Sequence, residues 1–188
     1  MQKKFFIALA LATLFIAFDG RDARAQSDGP KVDLGAQFSV IRFRDFDTTD
    51  AGVGGRIGYH FNDYISAEAE FNFFPSDKDG LFESGRKTQG LFGIKTGIRS
   101  EAAGIYGKIR PGFVRFSRNF DGFEDSKTDF ALDVGGVLEL YPSERSVVRF
   151  DVGDTIVYVG QRSGALGALV GDFTSHNFQF SVGVGIRF

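Results

Sequence analysis

The sequence predicts an all-β fold, an eight-stranded antiparallel up-and-down barrel that crosses a membrane. Three observations lead to this class. Apolar and polar residues alternate in eight segments, the connections between the segments alternate between short and long, and the first residues have the pattern of an export signal. A period of two places successive side chains on opposite faces of a strand, so each segment has one apolar and one polar face.

Residues 1–25 are expected to be a cleaved signal peptide, and residues 26–188 to form a single barrel domain. Two lysines precede an apolar run over residues 5–18, and Ala23 and Ala25 supply the small-x-small pattern of a signal peptidase site. The apolar run is shorter than the roughly 20 residues that a membrane-spanning helix needs. The protein is therefore predicted to be exported rather than anchored by its N-terminus.

The composition excludes several classes of function. Removing the signal peptide takes away four of the 22 basic residues and two of the 24 acidic residues, so the exported chain is mildly acidic. A nucleic-acid-binding protein would normally have a basic face. The absence of cysteine excludes disulfides and thiolate metal sites. No cofactor and no nucleic-acid partner are expected.

The first four segments set apolar side chains against small or polar ones. Segment one spans residues 32–41 and segment two spans 53–61. Their apolar faces are, in chain order, Leu34, Ala36, Phe38 and Val40; Ile57, Tyr59 and Phe61; Ile65, Ala67, Ala69, Phe71 and Phe73; and Phe92, Ile94 and Ile98. Each segment is near the length that crosses a membrane when the strand is tilted, about 9–11 residues.

The last four segments repeat the pattern. Their apolar faces are Ile105, Ile109 and Phe113; Leu132, Val134, Leu138 and Leu140; Val148, Phe150 and Val152; and Phe178, Phe180, Val182, Val184, Ile186 and Phe188. Two residues disturb it. Pro111 lies inside the fifth segment, where we expect a bulge or a local bend. Asp154 would face lipid in the seventh segment, where we expect a bulge or an early exit of the strand from the membrane.

The connections have an alternating length that a soluble sheet does not require. Residues 62–63, 100–103 and 142–145 form short turns, whereas 42–52, 75–88, 117–128 and 159–175 are long. A soluble ligand-binding barrel with an apolar interior is the competing architecture. Glycine argues against it, because six glycines lie on the polar face, where a narrow lumen restricts bulk. These are Gly93, Gly97, Gly135, Gly153, Gly183 and Gly185.

These features together resemble the small OmpA- and OmpX-like outer-membrane β-barrels of Gram-negative bacteria. The resemblance implies localisation in the outer membrane, contact with its lipid and lipopolysaccharide, and insertion by the barrel assembly machinery. It also implies a C-terminal assembly signal, carried by Phe180, Val182, Val184, Ile186 and Phe188. The chain ends at the barrel, so the peptidoglycan-binding role of the OmpA pattern is not expected.

The polar face predicts a network of charged side chains inside the barrel. Its members are Arg56, Lys95, Arg99, Lys108, Arg110, Arg149 and Arg187 with Glu68, Glu70, Asp133, Glu139 and Asp151. Eight strands leave a lumen that side chains can fill, and buried charges must be paired. We therefore expect a plugged barrel. The alternative is a narrow gated porin-like channel constricted by Lys108, Arg110 and Arg149.

The expected function is structural or interactive, in membrane integrity or adhesion, and not enzymatic. A further alternative is a lipid A-modifying enzyme that uses Ser175 and His176, but neighbours in a strand point to opposite faces. His60 is interpreted as a lumenal polar residue. The acidic segments 45–50 and 121–125 are candidates to hold calcium or magnesium that bridges lipopolysaccharide phosphates. Neither has the full calcium-loop spacing, so both are expected to be solvated loops. An extracellular ligand bound by the loops is a candidate partner.

The fourth long connection is unusually apolar for an exposed segment. Its apolar residues, interspersed with glycine, are Leu166, Leu169, Val170 and Phe173. It is therefore the expected contact surface.

Overall fold

The computed structural model describes residues 31–44, 48–75, 85–120, 123–160, 162–163, 169–170 and 172–188. Eight long strands run through them: β1 (Val32–Phe43), β2 (Thr48–His60), β3 (Ile65–Phe74), β4 (Arg86–Arg99), β5 (Ala103–Phe120), β6 (Phe123–Ser143), β7 (Ser146–Val159) and β10 (Phe173–Arg187). Two short strands, β8 (Arg162–Ser163) and β9 (Leu169–Val170), form a separate hairpin. Within the described residues no helix is long and apolar enough to cross a membrane.

The long strands form a closed antiparallel barrel in which β1 pairs with β2 on one side and with β10 on the other. The predicted fold class is therefore confirmed. We call the end of the barrel that carries the long connections the loop end, and the opposite end the turn end.

The stagger of the barrel follows from its pairing register. Registered partners lead from Val32 once around the ring, through Tyr59, Ala67, Ile94, Ile109, Val134, Asp154 and Phe178, and return to β1 at Arg42. The path has advanced ten residues, from 32 to 42. Eight strands with this stagger are tilted by roughly 40° and enclose an interior only wide enough for side chains.

Burial decides which face of the strands lines the interior. Phe38 is 50% exposed and Phe92 is 61% exposed, whereas Lys95 and Arg110 are 0% exposed. The apolar face therefore points outward and the charged face inward, the reverse of a soluble ligand-binding barrel. An apolar belt around a closed barrel is stable in lipid because closure satisfies the backbone hydrogen bonds of every strand.

Neither Pro111 nor Asp154 produces a β-bulge. Next to Pro111, Leu91 pairs with Gly112 and Ile94 pairs with Ile109 in one unchanged register, so there is no bulge. Phe92 and Gly93 have no registered partner in β5, which indicates that the missing amide of Pro111 interrupts the ladder without shifting the strands.

Asp154 also keeps its phase. It pairs with Val134 and with Phe178 in unbroken registers and points outward. Its carboxylate Oδ2 lies 2.6 Å from Nδ1 of the outward-facing His176, within hydrogen-bond distance. The outward carboxylate therefore has a polar partner while the strand keeps its register. The only register shift between β6 and β7 lies between Leu140 and Ser143, at the turn end.

All four long connections are shorter than predicted, and two of them are much shorter. β5 and β6 remain paired as far as Phe120 and Phe123, so most of the expected loop over 117–128 is strand. β1 and β2 likewise pair out to Phe43 and Thr48. Backbone pairing continues past the apolar belt, where alternation in the sequence no longer marks the strand.

Candidate functional site

The lumen is the part of the barrel that concentrates polar chemistry, and two arginines lie at its centre. Arg110 on β5 donates from Nη1 to Glu68 Oε1 at 2.9 Å and to Glu70 Oε2 at 2.6 Å, and from Nε to Asp133 Oδ2 at 2.8 Å. One guanidinium therefore joins β5 to carboxylates on β3 and on β6. Charge-assisted bonds of this kind are short and geometrically specific.

Arg149 on β7 closes the bore at the same depth. Its Nη1 and Nη2 donate to the two oxygens of Glu68 at 2.7 and 2.8 Å, and Nη2 also donates to Asp151 at 2.8 Å. β3 and β7 lie four strands apart in the ring of eight, so the bidentate Arg149–Glu68 pair crosses the full diameter.

Two lysines complete the charged layer. Lys108 contacts Asp133 at 2.6 Å and Asp151, and Lys95 forms an ion pair with Glu139. Both lysines and the three carboxylates that they contact are buried. Burying charge is unfavourable unless it is paired, and each of these groups has an oppositely charged neighbour.

A layer of amide and hydroxyl side chains lies above the charges, toward the loop end. Gln89 on β4 donates to Gln179 on β10 at 2.9 Å, a second contact between strands on opposite sides of the ring. Asn72 donates to Gln89 at 2.8 Å and accepts from Gln37 at 2.9 Å. The amide layer therefore spans the bore as the charged layer does.

Apolar side chains fill the lumen at the loop end. One cluster contains Ile41, Phe43 and Phe74, and a second contains Val114, Ala131, Val157 and Val159; Phe116 packs against both. A buried Lys87–Asp50 ion pair lies at the same end, and Lys87 Nζ is 4.8 Å from the centre of the Phe43 ring. We call this group the apolar cap.

The turn end carries a smaller polar cluster. His60 contacts Asp33 Oδ2 through Nε2 at 3.1 Å and Ser66 Oγ through Nδ1 at 2.7 Å. Tyr141 donates to Glu139 at 2.9 Å, and the Arg187 guanidinium lies 4.1 Å from the Tyr141 ring centre. Cation–π contacts thus cover the charged layer at the turn end.

Arg56 is the least satisfied member of the lumen. It is 3% exposed, and none of its three guanidinium nitrogens has a hydrogen-bond partner among the described residues. Its Nε lies 3.5 Å from Asp33 Oδ1. A Cβ on Gly35 or Gly183 would come within 2.9 Å of the guanidinium, so these two glycines provide the space that it occupies.

Of the twelve charged residues of the polar face, eleven are buried, and Arg99 is half-buried at the turn end. The buried ones are Arg56, Glu68, Glu70, Lys95, Lys108, Arg110, Asp133, Glu139, Arg149, Asp151 and Arg187. Sequence reasoning missed the amide layer and the apolar cap. Position along the strand could have identified these residues, since they continue the series of inward-facing positions in each strand.

Ser175 and His176 point to opposite sides of β10. Ser175 is buried and its hydroxyl donates to Asn177 Oδ1 at 3.1 Å, whereas the His176 side chain is 55% exposed and pairs with Asp154. The two side chains cannot act as a nucleophile and its base. Within the described residues, no group of three or more His, Asp or Glu side chains could hold a metal ion.

One residue of a predicted loop surface lies in a strand, and several other predicted features lie outside the described residues. Phe173, expected in an exposed loop surface, is the first residue of β10 and packs against the apolar cap, because its side chain can be buried there. Leu166, the signal-peptide residues Ala23 and Ala25, and residues 45–47 and 121–122 of the acidic segments lie outside the described residues.

A closed eight-stranded barrel with an apolar outer belt and a filled polar lumen is the architecture of a small outer-membrane protein. The family described as outer membrane protein beta-barrel domain matches residues 6–188, and the chain belongs to this family. The predicted resemblance is therefore confirmed, and the loop end is extracellular, as in such barrels.

Solved structures with the same fold include three small barrels. Neisserial surface protein A has 15% identity and a TM-score of 0.58, covering 87% of this chain and 100% of that one. Ail of Yersinia pestis, determined with the heparin analogue sucrose octasulfate, has 16% identity and a TM-score of 0.54, covering 86% and 100%. The N-terminal barrel of Pseudomonas aeruginosa OprF has 13% identity and a TM-score of 0.52, with the same coverage as Ail. No curated protein matches the sequence.

Proposed function

We propose that the protein is a closed, non-catalytic anchor in the outer membrane that presents its extracellular connections for structural or adhesive contacts. The observation that carries this proposal is the filled lumen. Arg149–Glu68 and Gln89–Gln179 span the bore at two depths, and the apolar cap fills its extracellular end. A narrow channel would need a continuous water path past all three layers.

Export and assembly complete the proposal. We propose that cleavage after Ala25 leaves a mature protein beginning at Gln26, which N-terminal sequencing of the membrane-extracted protein would test. The assembly machinery is proposed to recognise the outward face made by Phe180, Val182, Val184, Ile186 and Phe188. Phe188 is 63% exposed, while its backbone exchanges two 2.9 Å hydrogen bonds with Val32. Its side chain is therefore available for recognition while its backbone helps to close the barrel.

The closed lumen predicts that the refolded protein, residues 26–188, is electrically silent in planar bilayers. A shift in gel migration on heating would show that the inserted protein is folded. Stable discrete openings whose conductance changes in Lys108→Gln would contradict the proposal and favour a channel. Lys108 is the useful probe because it contacts both Asp133 and Asp151 in the charged layer.

The anchoring role predicts that the attachment of producing cells to a surface depends on the extracellular connections rather than on the barrel. Replacing residues 161–171 with a short Gly-Ser turn should leave membrane insertion unchanged and reduce attachment of producing cells to heparin-coated surfaces several-fold. Ail was determined with a heparin analogue, which motivates the choice of surface. The matched variant replaces residues 76–84 in the same way. Undiminished attachment in both variants, and in a third that combines them, would contradict the proposal.

A further inference from the structure

Two arginines converge where the lumen opens at the turn end, an opening that we call the periplasmic mouth. Arg99 is the last residue of β4 and Arg187 is the last residue of β10, strands that lie opposite one another in the ring. Both guanidiniums lie over the ring of Tyr141 on β6. The distance to the ring centre is 5.0 Å from Arg99 Cζ and 4.1 Å from Arg187 Cζ. The two cationic groups therefore share one aromatic platform.

Neither of these arginines has a carboxylate partner among the described residues. Below the amide layer, six buried carboxylates form their ion pairs with five other basic side chains. The carboxylates are Asp33, Glu68, Glu70, Asp133, Glu139 and Asp151, and the basic side chains are Arg56, Lys95, Lys108, Arg110 and Arg149. Like charges repel each other most strongly where they are shielded from water. An anion bound between Arg99 and Arg187 would relieve this repulsion.

Arg187 is held in place while two of its donors stay unused. Its Nη2 donates to the backbone oxygen of Glu144 at 2.9 Å, and its guanidinium packs on the ring of Tyr141. Arg187 is 5% exposed, yet its Nε and Nη1 have no hydrogen-bond partner among the described residues. A buried N–H without an acceptor is unfavourable, and more so when the group is charged. These two nitrogens indicate that the mouth accommodates an acceptor from outside the chain.

Tyr141 forms a rigid platform whose hydroxyl is already engaged. It donates to Glu139 Oε2 at 2.9 Å, and its oxygen lies 2.9 Å from the hydroxyl of Tyr106. Because Tyr141 donates its proton to Glu139, Tyr106 is the donor in the second bond. Neither hydroxyl has a proton left for a ligand. The guanidinium N–H groups are therefore the donors that this platform presents to a ligand.

We propose that Arg99 and Arg187 bind a phosphate group at the periplasmic mouth. Arg99 is half-buried, so a ligand that enters from the periplasm meets it before the more deeply buried Arg187. A phosphate suits donors on opposite walls because its tetrahedral oxygens accept from both at once, whereas one guanidinium edge already satisfies a carboxylate. Soluble phosphate and the headgroup of an inner-leaflet phospholipid both supply this chemistry. The site goes beyond the anchoring role, which requires no ligand at the turn end.

The test is a titration of the folded mature protein with inorganic phosphate in a non-ionic detergent. The arginine Nε–H signals of the ¹⁵N-labelled protein are followed by nuclear magnetic resonance. The Arg187 signal should shift until the site is saturated, whereas sodium chloride at equal ionic strength should leave it in place. Acetate should bind at least about tenfold more weakly than phosphate, because it does not accept charge-assisted bonds from both arginines at once.

Substitutions test the two arginines separately. Arg99→Gln, followed through the Arg187 signal, should weaken phosphate binding about tenfold or more, since one charge-assisted contact is lost. Arg187→Gln, followed through the Arg99 signal, should weaken it to a similar extent. The matched control is Arg145→Gln, which removes an exposed arginine at the same end of the barrel, in the turn before β7. It should bind phosphate as the wild type does. Heat-dependent gel migration first shows that each variant is folded.

Nanodiscs that contain phosphatidylglycerol distinguish the two sources of phosphate. If a lipid headgroup fills the mouth, the Arg187 signal should have its shifted position before any phosphate is added. If the ligand is soluble, the signal should match that in detergent and should shift only when inorganic phosphate is added. Both results support a phosphate site, and they assign it to different ligands.

Four results would overturn the proposal. An Arg187 signal that responds neither to phosphate nor to the lipid would mean that no phosphate reaches the mouth. An equal response to chloride, or equal weakening in Arg99→Gln and Arg145→Gln, would mean general attraction of anions to basic residues. Equal binding of acetate would mean that the two arginines do not act together.

Discussion

Replacing Arg149 with methionine is expected to destabilise the folded barrel by about 3–5 kcal/mol, because it leaves buried carboxylates without their shared partner. Arg149 makes two bonds to Glu68 and one to Asp151 at the centre of the lumen. Methionine replaces much of the volume but none of the charge. The measurement is the free energy of unfolding of the protein in lipid vesicles. It is obtained from a urea titration in which gel migration reports the folded fraction.

The control for this variant is Arg145→Met, which removes an exposed arginine in the turn before β7. Its expected change is within about 0.5 kcal/mol. Glu68→Gln introduced together with Arg149→Met should recover part of the loss, because it also removes one of the uncompensated charges. A loss for Arg149→Met as small as that for Arg145→Met would mean that water solvates the lumenal charges, which contradicts a plugged barrel.

Gly135→Val is expected to destabilise the barrel by about 3 kcal/mol, whereas Gly136→Val is expected to be nearly neutral. The two glycines are adjacent in β6 and point to opposite faces. A Cβ on Gly135 would lie 2.1 Å from Val152 O and 2.5 Å from Gly153 Cα, so the β6 and β7 backbones would have to separate. A Cβ on Gly136 meets only Tyr106 O, at 3.7 Å, in ordinary contact.

The same urea titration in vesicles measures both variants, and the pair controls for the change in strand propensity because both replace glycine by valine in one strand. Equal losses would show that valine acts through the backbone rather than through crowding in the lumen. That result would also remove the argument that glycine on the polar face marks the narrow interior.

The sequence predicts the middle of the barrel well because a single physical rule applies there. Between lipid on one side and a charged lumen on the other, each residue must be apolar or polar according to its phase, as Ile94 and Lys95 illustrate. Arg149 and Glu68 could be assigned to the lumen from phase alone. Their pairing across the bore could not, because it depends on the stagger of the ring.

The rule fails toward the extracellular end, where both faces are apolar. Ile41, Phe74 and Val157 lie in the inward phase directly after or before an outward apolar residue, so alternation ends there while the strand continues. The predicted strands are too short and the predicted loops too long for this reason. A run of apolar residues at the end of an alternating segment is the signal that an apolar cap leaves in the sequence.

Joining β1 to β10 has a consequence for the order of events during folding. The seam pairs Asp33 with Arg187, so the first strand receives its second neighbour only when the last strand arrives. Until then the assembling sheet has two open edges, which can pair with other chains and aggregate. Loop closure over so long a sequence separation is entropically unfavourable and slow. A partly translocated chain would therefore need both open sheet edges to be protected throughout. A chaperone that binds these edges would have to release the chain only after the last strand has arrived.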